Sequence, residues 1–173
     1  KCYTNQETHT PYNEEDRLGG YDPYSSSKGC SEIVTESYLN SFYKQKKIGL
    51  ASARAGNVLG GGDWAIDRIT PDILKSLEEG NKVFLRNPYA VRPWQHVLDP
   101  LCGYLILLEN LSINTAEFSG AYNFGPNKNN TLPVCDLVEK LQKSWGKPMG
   151  WEHAKGTKYH ETQILNLNAN KAK

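Results

Sequence analysis

Ile48-Gly49-Leu50-Ala51-Ser52-Ala53-Arg54 reads as a short buried strand that runs straight into a glycine-rich loop, Ala55-Gly56-Asn57-Val58-Leu59-Gly60-Gly61-Gly62. Before it, residues 24–47 carry Ile33, Val34, Tyr38 and Phe42 at helical spacing. Basic residues gather at the end of that stretch, where a helix dipole favours them. After it, residues 69–79 are predicted helical, with Pro71 in the first turn and Gly80 as the stop, and residues 82–86 as a strand. Asp99-Pro100 then starts a strongly apolar helix to about residue 111, with Asp99 at the cap. A brief strand over 121–124 ends at Gly125-Pro126, an amphipathic helix over 132–145 closes at Gly146, and 163–167 alternates as a short strand. Strands alternating with helices predict an α/β fold with a largely parallel sheet.

Composition excludes several function classes. The 173 residues are 38% hydrophobic and 23% charged, with 10 Tyr and 4 Trp, enough apolar material for a core and unlike a disordered chain. Length alone suggests about one domain. The 20 Lys and Arg against 19 Asp and Glu leave a net charge of +1, which offers no electrostatic footprint for nucleic acid or an anionic membrane. The apolar stretch around 101–111 is too short to cross a bilayer. Cys2, Cys30, Cys102 and Cys135 form no C-x-x-C pair and are expected to be reduced, mostly buried thiols. A cytoplasmic protein is the expectation. The chain begins Lys1-Cys2-Tyr3, without Met or an apolar leader, and is expected to be part of a longer polypeptide.

Tyr24-Ser25-Ser26-Ser27-Lys28 is a Y-x-x-x-K spacing. Residues four apart share a helix face, and a cation beside a phenol favours the phenolate, which is useful for acid/base work. Chance supplies such a spacing in a chain this rich in Tyr and Lys, and a second match exists at Tyr43 and Lys47. Context separates them. Tyr24 opens a helix after a Gly/Pro-rich loop, where side chains reach a cleft, whereas Lys47 closes a run of basic residues. The glycine-rich loop follows a strand end, the usual ligand side of an open α/β sheet, yet is neither G-x-G-x-x-G nor a Walker loop. In Arg92-Pro93-Trp94-Gln95-His96, the guanidinium is suited to bidentate phosphate recognition, with Trp94 able to cover an apolar or sugar face. His160-Glu161 fails as a zinc motif because position 164 is Ile, so no metal site is expected.

Together these segments resemble the extended short-chain dehydrogenase/reductase family of nucleotide-sugar enzymes, and within it the 4,6-dehydratases. The residues that carry the resemblance are Lys1-Cys2-Tyr3, Gly20 through Cys30, Ala53 through Val58, Gly62-Asp63-Trp64, Arg86-Asn87-Pro88, Arg92 through Val97, and Tyr122-Asn123-Phe124-Gly125-Pro126, in register across nearly the whole chain. The resemblance implies NAD as cofactor and a nucleotide sugar, CDP-D-glucose, as substrate. It implies that Tyr24 takes the proton from the sugar 4-hydroxyl and that Lys28 binds the nicotinamide ribose. Lys1 matches a Lys that assists loss of water across C5–C6. Asn57 and Arg92 match pyrophosphate ligands, and Arg68, Asn123 and His160 match substrate-side positions.

The same resemblance implies the domain plan. Residues 1–58 would be the back half of a Rossmann domain. Residues 59–173 would be mostly a substrate-binding domain, with the chain re-entering the Rossmann part around 90–125 and the C-terminus cut short. The dinucleotide fingerprint of the family lies upstream of Lys1, so the 173 residues alone are expected to be inactive. The 24–47 helix would form a homodimer or higher homo-oligomer. Two other readings stand beside this one: an epimerase or a dehydratase for dTDP-, GDP- or UDP-sugars, and a non-catalytic nucleotide-sugar-binding module. The Lys at position 1 favours dehydration over epimerisation.

Overall fold

The structure, a computed structural model, describes residues 2–65, 68–126, 131–154 and 162–173. Helix α1 (Pro23–Tyr38) starts on a capping box: the Asp22 carboxylate accepts from Ser25 N at 2.9 Å, and Ser25 Oγ accepts from Asp22 N at 3.2 Å, with Pro23 in the first turn. The helix predicted to reach residue 47 is α-helical only to Tyr38. It then widens into a π turn over Leu39–Tyr43, with Lys44 N donating to Leu39 O, and Lys47 ends it at a positive φ of 55°.

Strand β1 (Ala51–Ala55) leads through Gly56 into β2 (Asn57–Leu59), and α2 (Ile69–Glu79) follows, stopped by Gly80 at φ 72° as its sequence predicts. Then come β3 (Val83–Leu85), β4 (Val91–His96) and α3 (Leu98–Ile113). Asp99 and Pro100 sit in the first turn of α3, but Val97 is its cap and no side chain caps it, a correction to the expected Asp99 cap. The chain continues through α4 (Thr115–Phe118), β5 (Gly120–Phe124), β6 (Thr131–Pro133), α5 (Val134–Trp145) and β7 (Trp151–His153).

Among the described residues the strands form three small sheets. β1 pairs with β5 in parallel, from Ala51 opposite Gly120 to Ala55 opposite Phe124. β2 and β4 pair in parallel while β6 adds to β4 antiparallel, and β3 pairs with β7 in parallel. The expected strand over 163–167 is instead two isolated bridges, Ile164 to Val91 and Leu167 to Tyr12. One core joins α2, α5 and β3 through Ile73, Leu77, Val83, Leu85, Cys135 and Val138. A second, smaller core joins the first segment to the last, through Cys2, Tyr3 and Tyr12 with Leu18, Leu165 and Leu167 around them.

Two apolar helix faces stay outside these cores. Ile33, Val34, Tyr38 and Phe42 of the α1 segment are exposed, as are Leu98, Leu101, Leu105 and Leu108 of α3. The cysteines divide evenly: Cys2 and Cys135 are buried, Cys30 and Cys102 exposed, because the latter two lie on these outward helices. Among the described residues, no helix is long and apolar enough to cross a membrane.

Candidate active site

The first turn of α1 opens onto a cleft of about 1890 Å³. Tyr24 and Lys28 lie one turn apart on its wall, with Lys28 Nζ 5.4 Å from the centroid of the Tyr24 ring. The cap at Asp22 fixes where that turn begins, and so where Tyr24 points. The competing Tyr43–Lys47 spacing lies at the far end of the helix, in and after the π turn, and does not line the cleft.

Asn57, Arg68 and Arg92 line the same cleft. Asn57 begins β2 opposite Trp94 of β4, and Arg68 immediately precedes α2. Gly56 is required there: a Cβ would come within 2.8 Å of Pro93 O. Arg92 of β4 donates to Thr162 O at 2.6 Å, Val91 O at 2.9 Å and Gln163 O at 3.3 Å, so its guanidinium ties the 162–163 segment to the wall. Trp94 is 7% exposed and donates its indole N–H to Leu132 O at 3.0 Å. Lys1 and His160 lie outside the described residues.

Asn123 is placed elsewhere. It is 0% exposed in β5, away from the cleft wall. Its Oδ1 accepts from Tyr3 OH at 2.6 Å, and its Nδ2 donates to Tyr12 O at 3.1 Å and Asn168 O at 3.2 Å. Here the residue joins the first and last segments to β5.

Sequence reasoning gave no role to the polar group beside Asn123. Arg54 of β1 donates to Glu32 Oε2 of α1 at 3.0 Å, to Tyr3 OH at 2.7 Å and to Glu14 O at 3.2 Å, and its guanidinium stacks on the Tyr3 ring at 5.1 Å. The signal was a single charged residue in an otherwise small, apolar strand. Burial pushes the Tyr3 phenol up to about 12, against the lowering pull of Arg54. Burial disfavours the Arg54 charge, but the hydrogen bonds to Glu32 and Tyr3 outweigh it and raise its pKa above the usual value. Burial also raises the Cys2 thiol.

The Tyr24 phenol, the Lys28 ammonium, the Asn57 amide and the Arg68 and Arg92 guanidinium groups along the cleft suit an anionic, hydroxyl-rich ligand. Among the described residues there is no group of three His, Cys, Asp or Glu that could hold a metal ion.

No protein-family model matches the chain. The CDP-glucose 4,6-dehydratase of Salmonella typhimurium is 48% identical over 177 residues, which span 99% of this chain and 49% of that protein. The crystal structure of dTDP-glucose 4,6-dehydratase from Bacillus anthracis, in complex with NAD, superposes with a TM-score of 0.75 at 22% identity, covering 99% of this chain and 50% of that one. UDP-glucuronic acid 4-epimerase from Bacillus cereus, in complex with UDP-glucuronic acid and NAD, superposes with a TM-score of 0.82 at 19% identity, covering 99% and 51%. The chain thus spans about half the length of the curated relative it matches. The resemblance read from the sequence holds over the whole chain, and the fold is that of the C-terminal half of Rossmann-type dehydratases and epimerases.

Proposed function

We propose that this chain is the sugar-side half of an NAD-dependent nucleotide-sugar 4,6-dehydratase, with CDP-D-glucose as substrate and CDP-4-keto-6-deoxy-D-glucose as product. The observation that carries the reading is the pair Tyr24 and Lys28 on one turn, opening onto a cleft that Asn57, Arg68 and Arg92 also line. The 48% identity to the Salmonella enzyme supports the substrate.

Tyr24 takes the proton from the 4-hydroxyl oxygen as C4 is oxidised. Lys28, whose ammonium stands at the cleft wall, would hold the ribose hydroxyls of NAD. When bound, NAD supplies a reversible two-electron acceptor, so that C6 is reduced after water has left C5–C6. Lys1 assists that loss of water. Arg92 and Asn57 bind the pyrophosphate, whose charge a guanidinium and an amide suit, while Arg68 and His160 complete the substrate side.

Residues 1–58 are read as the back half of the dinucleotide-binding domain and 59–173 as mostly the substrate domain, with a return around 90–125. The parallel pairing of β1 with β5 across that long insertion supports this division. The exposed apolar face of the α1 segment supports self-association through that helix. The four free thiols fit a cytoplasmic setting.

The test presents the complete protein with CDP-, dTDP-, GDP- and UDP-glucose plus NAD and weighs the products. Loss of one water from CDP-glucose is expected. Conversion of dTDP-glucose alone, or a product of unchanged mass, would sink the assignment. The 173-residue polypeptide by itself is expected to convert none of them.

A further inference from the structure

We infer that Arg54 is a positioning residue that locks the helix bearing Tyr24 and Lys28 against the segment beginning at Cys2, and so sets the catalytic geometry; this rests on the dehydratase reading given above. Helix α1 is thinly anchored by apolar contact. Of its 16 residues only Ser25 and Gly29 are buried, and its Ile33, Val34 and Tyr38 face outward. Its tie to the sheet is polar. Glu32, one turn beyond Lys28, accepts from Arg54 at 3.0 Å and from Ser52 Oγ at 2.5 Å, with the Arg54 and Glu32 side chains 9% and 14% exposed.

The other arm of the same guanidinium holds the first segment. Arg54 donates to Tyr3 OH at 2.7 Å, and Tyr3 OH in turn donates to Asn123 of β5. Tyr3 is two positions from Lys1 in sequence. The contact between these two parts is close: a Cβ on Gly29 would lie 3.5 Å from Cys2 O, which accepts from Gly19 N at 2.8 Å. One planar fork therefore fixes α1 and the 2–4 segment in a single register, as a Lys ammonium, lacking the fork, would not. A buried ion pair adds little stability over a well-packed apolar pair, so its benefit here is geometric.

The test uses the complete protein and the variants Tyr3→Phe, which keeps the stacked ring, Glu32→Gln and Arg54→Lys. Each is assayed for CDP-glucose conversion well below its melting temperature. The expected result is a fall in kcat of about tenfold to a hundredfold with KM within about twofold, as for a small misplacement of reacting groups. Tyr3→Phe and Glu32→Gln, which do not touch each other, are expected to be non-additive in kcat, and additive once Arg54 is Lys. Amide hydrogen exchange should rise in the first two turns of α1 and in residues 2–4, and stay unchanged in α2 and α5. A lowered melting temperature with kcat unchanged would overturn the inference, as would additive effects. Should the unsubstituted protein convert no nucleotide sugar, the dehydratase reading fails by itself; exchange confined to α1 and residues 2–4 then still supports the lock, and unchanged exchange refutes it.

Discussion

Lys28 Nζ lies 5.4 Å from the centroid of the Tyr24 ring, one helical turn along α1, and both side chains open onto one cleft. A phenol placed as acid/base makes its contribution in the transition state and little in ground-state binding. Tyr24→Phe in the complete protein is therefore expected to lower turnover by about 10² to 10⁴ while leaving nucleotide-sugar affinity near that of the parent. Steady-state kinetics with calorimetric binding checks it; an equal loss in both would assign Tyr24 to binding.

Asn123 is fully buried, and its side chain joins Tyr3, Tyr12 and Asn168. Asn123→Ala removes the buried acceptor of the Tyr3 phenol and one donor each to the Tyr12 and Asn168 carbonyls, at a cost of about 2 to 4 kcal/mol. Denaturant unfolding is expected to show that loss. A variant of unaltered stability but poor substrate affinity would move Asn123 to the substrate.

Alkaline pH should act through Tyr3. Its phenol is raised from 10.0 to about 12 by burial, so the folded state holds this proton more tightly than the unfolded chain. The stabilisation is complete below the unfolded value and is lost as pH rises from about 10 to about 12, at most about 3 kcal/mol. Unfolding midpoints across that window should fall more steeply for the parent than for Tyr3→Phe.

Glu7 holds a positive φ of 54° while its carboxylate accepts from Gln163 N at 2.9 Å and Ile164 N at 3.0 Å. A Gly there relieves the backbone but removes the clamp. Amide exchange at Gln163 and Ile164 is expected to rise several-fold in both Glu7→Gly and Glu7→Gln. Protection retained in either variant would show that the bridges to Val91 and Tyr12 suffice to hold this segment.

The α1 segment exposes Val34 and Phe42, at 54% and 52%. If the complete protein self-associates through this face, Val34→Asp combined with Phe42→Asp should yield a smaller species in analytical ultracentrifugation. An unchanged sedimentation coefficient would place the contact on another surface.

What the sequence determined by itself is local. Asp22 and Ser25 around Pro23 start α1, and Gly80 and Gly146, at φ 72° and 79°, end α2 and α5. Caps and left-handed glycines act within a few residues, so their chemistry is legible along the chain. Tyr24, Lys28 and Arg92 could be picked out from local context, Asn57 and Arg68 from family resemblance alone, and the fold gathers all five on one cleft. Partners distant in sequence were decided only by the tertiary structure. Asn123 meets residues 3, 12 and 168, and Arg54 meets residues 3, 14 and 32. Periodicity reports that a side is buried but not what it is buried against, and a buried polar atom takes its role from its partner. For the same reason residues 163–167, patterned as a strand, form two bridges instead: Val91 and Tyr12 offer a pairing edge at only one point each.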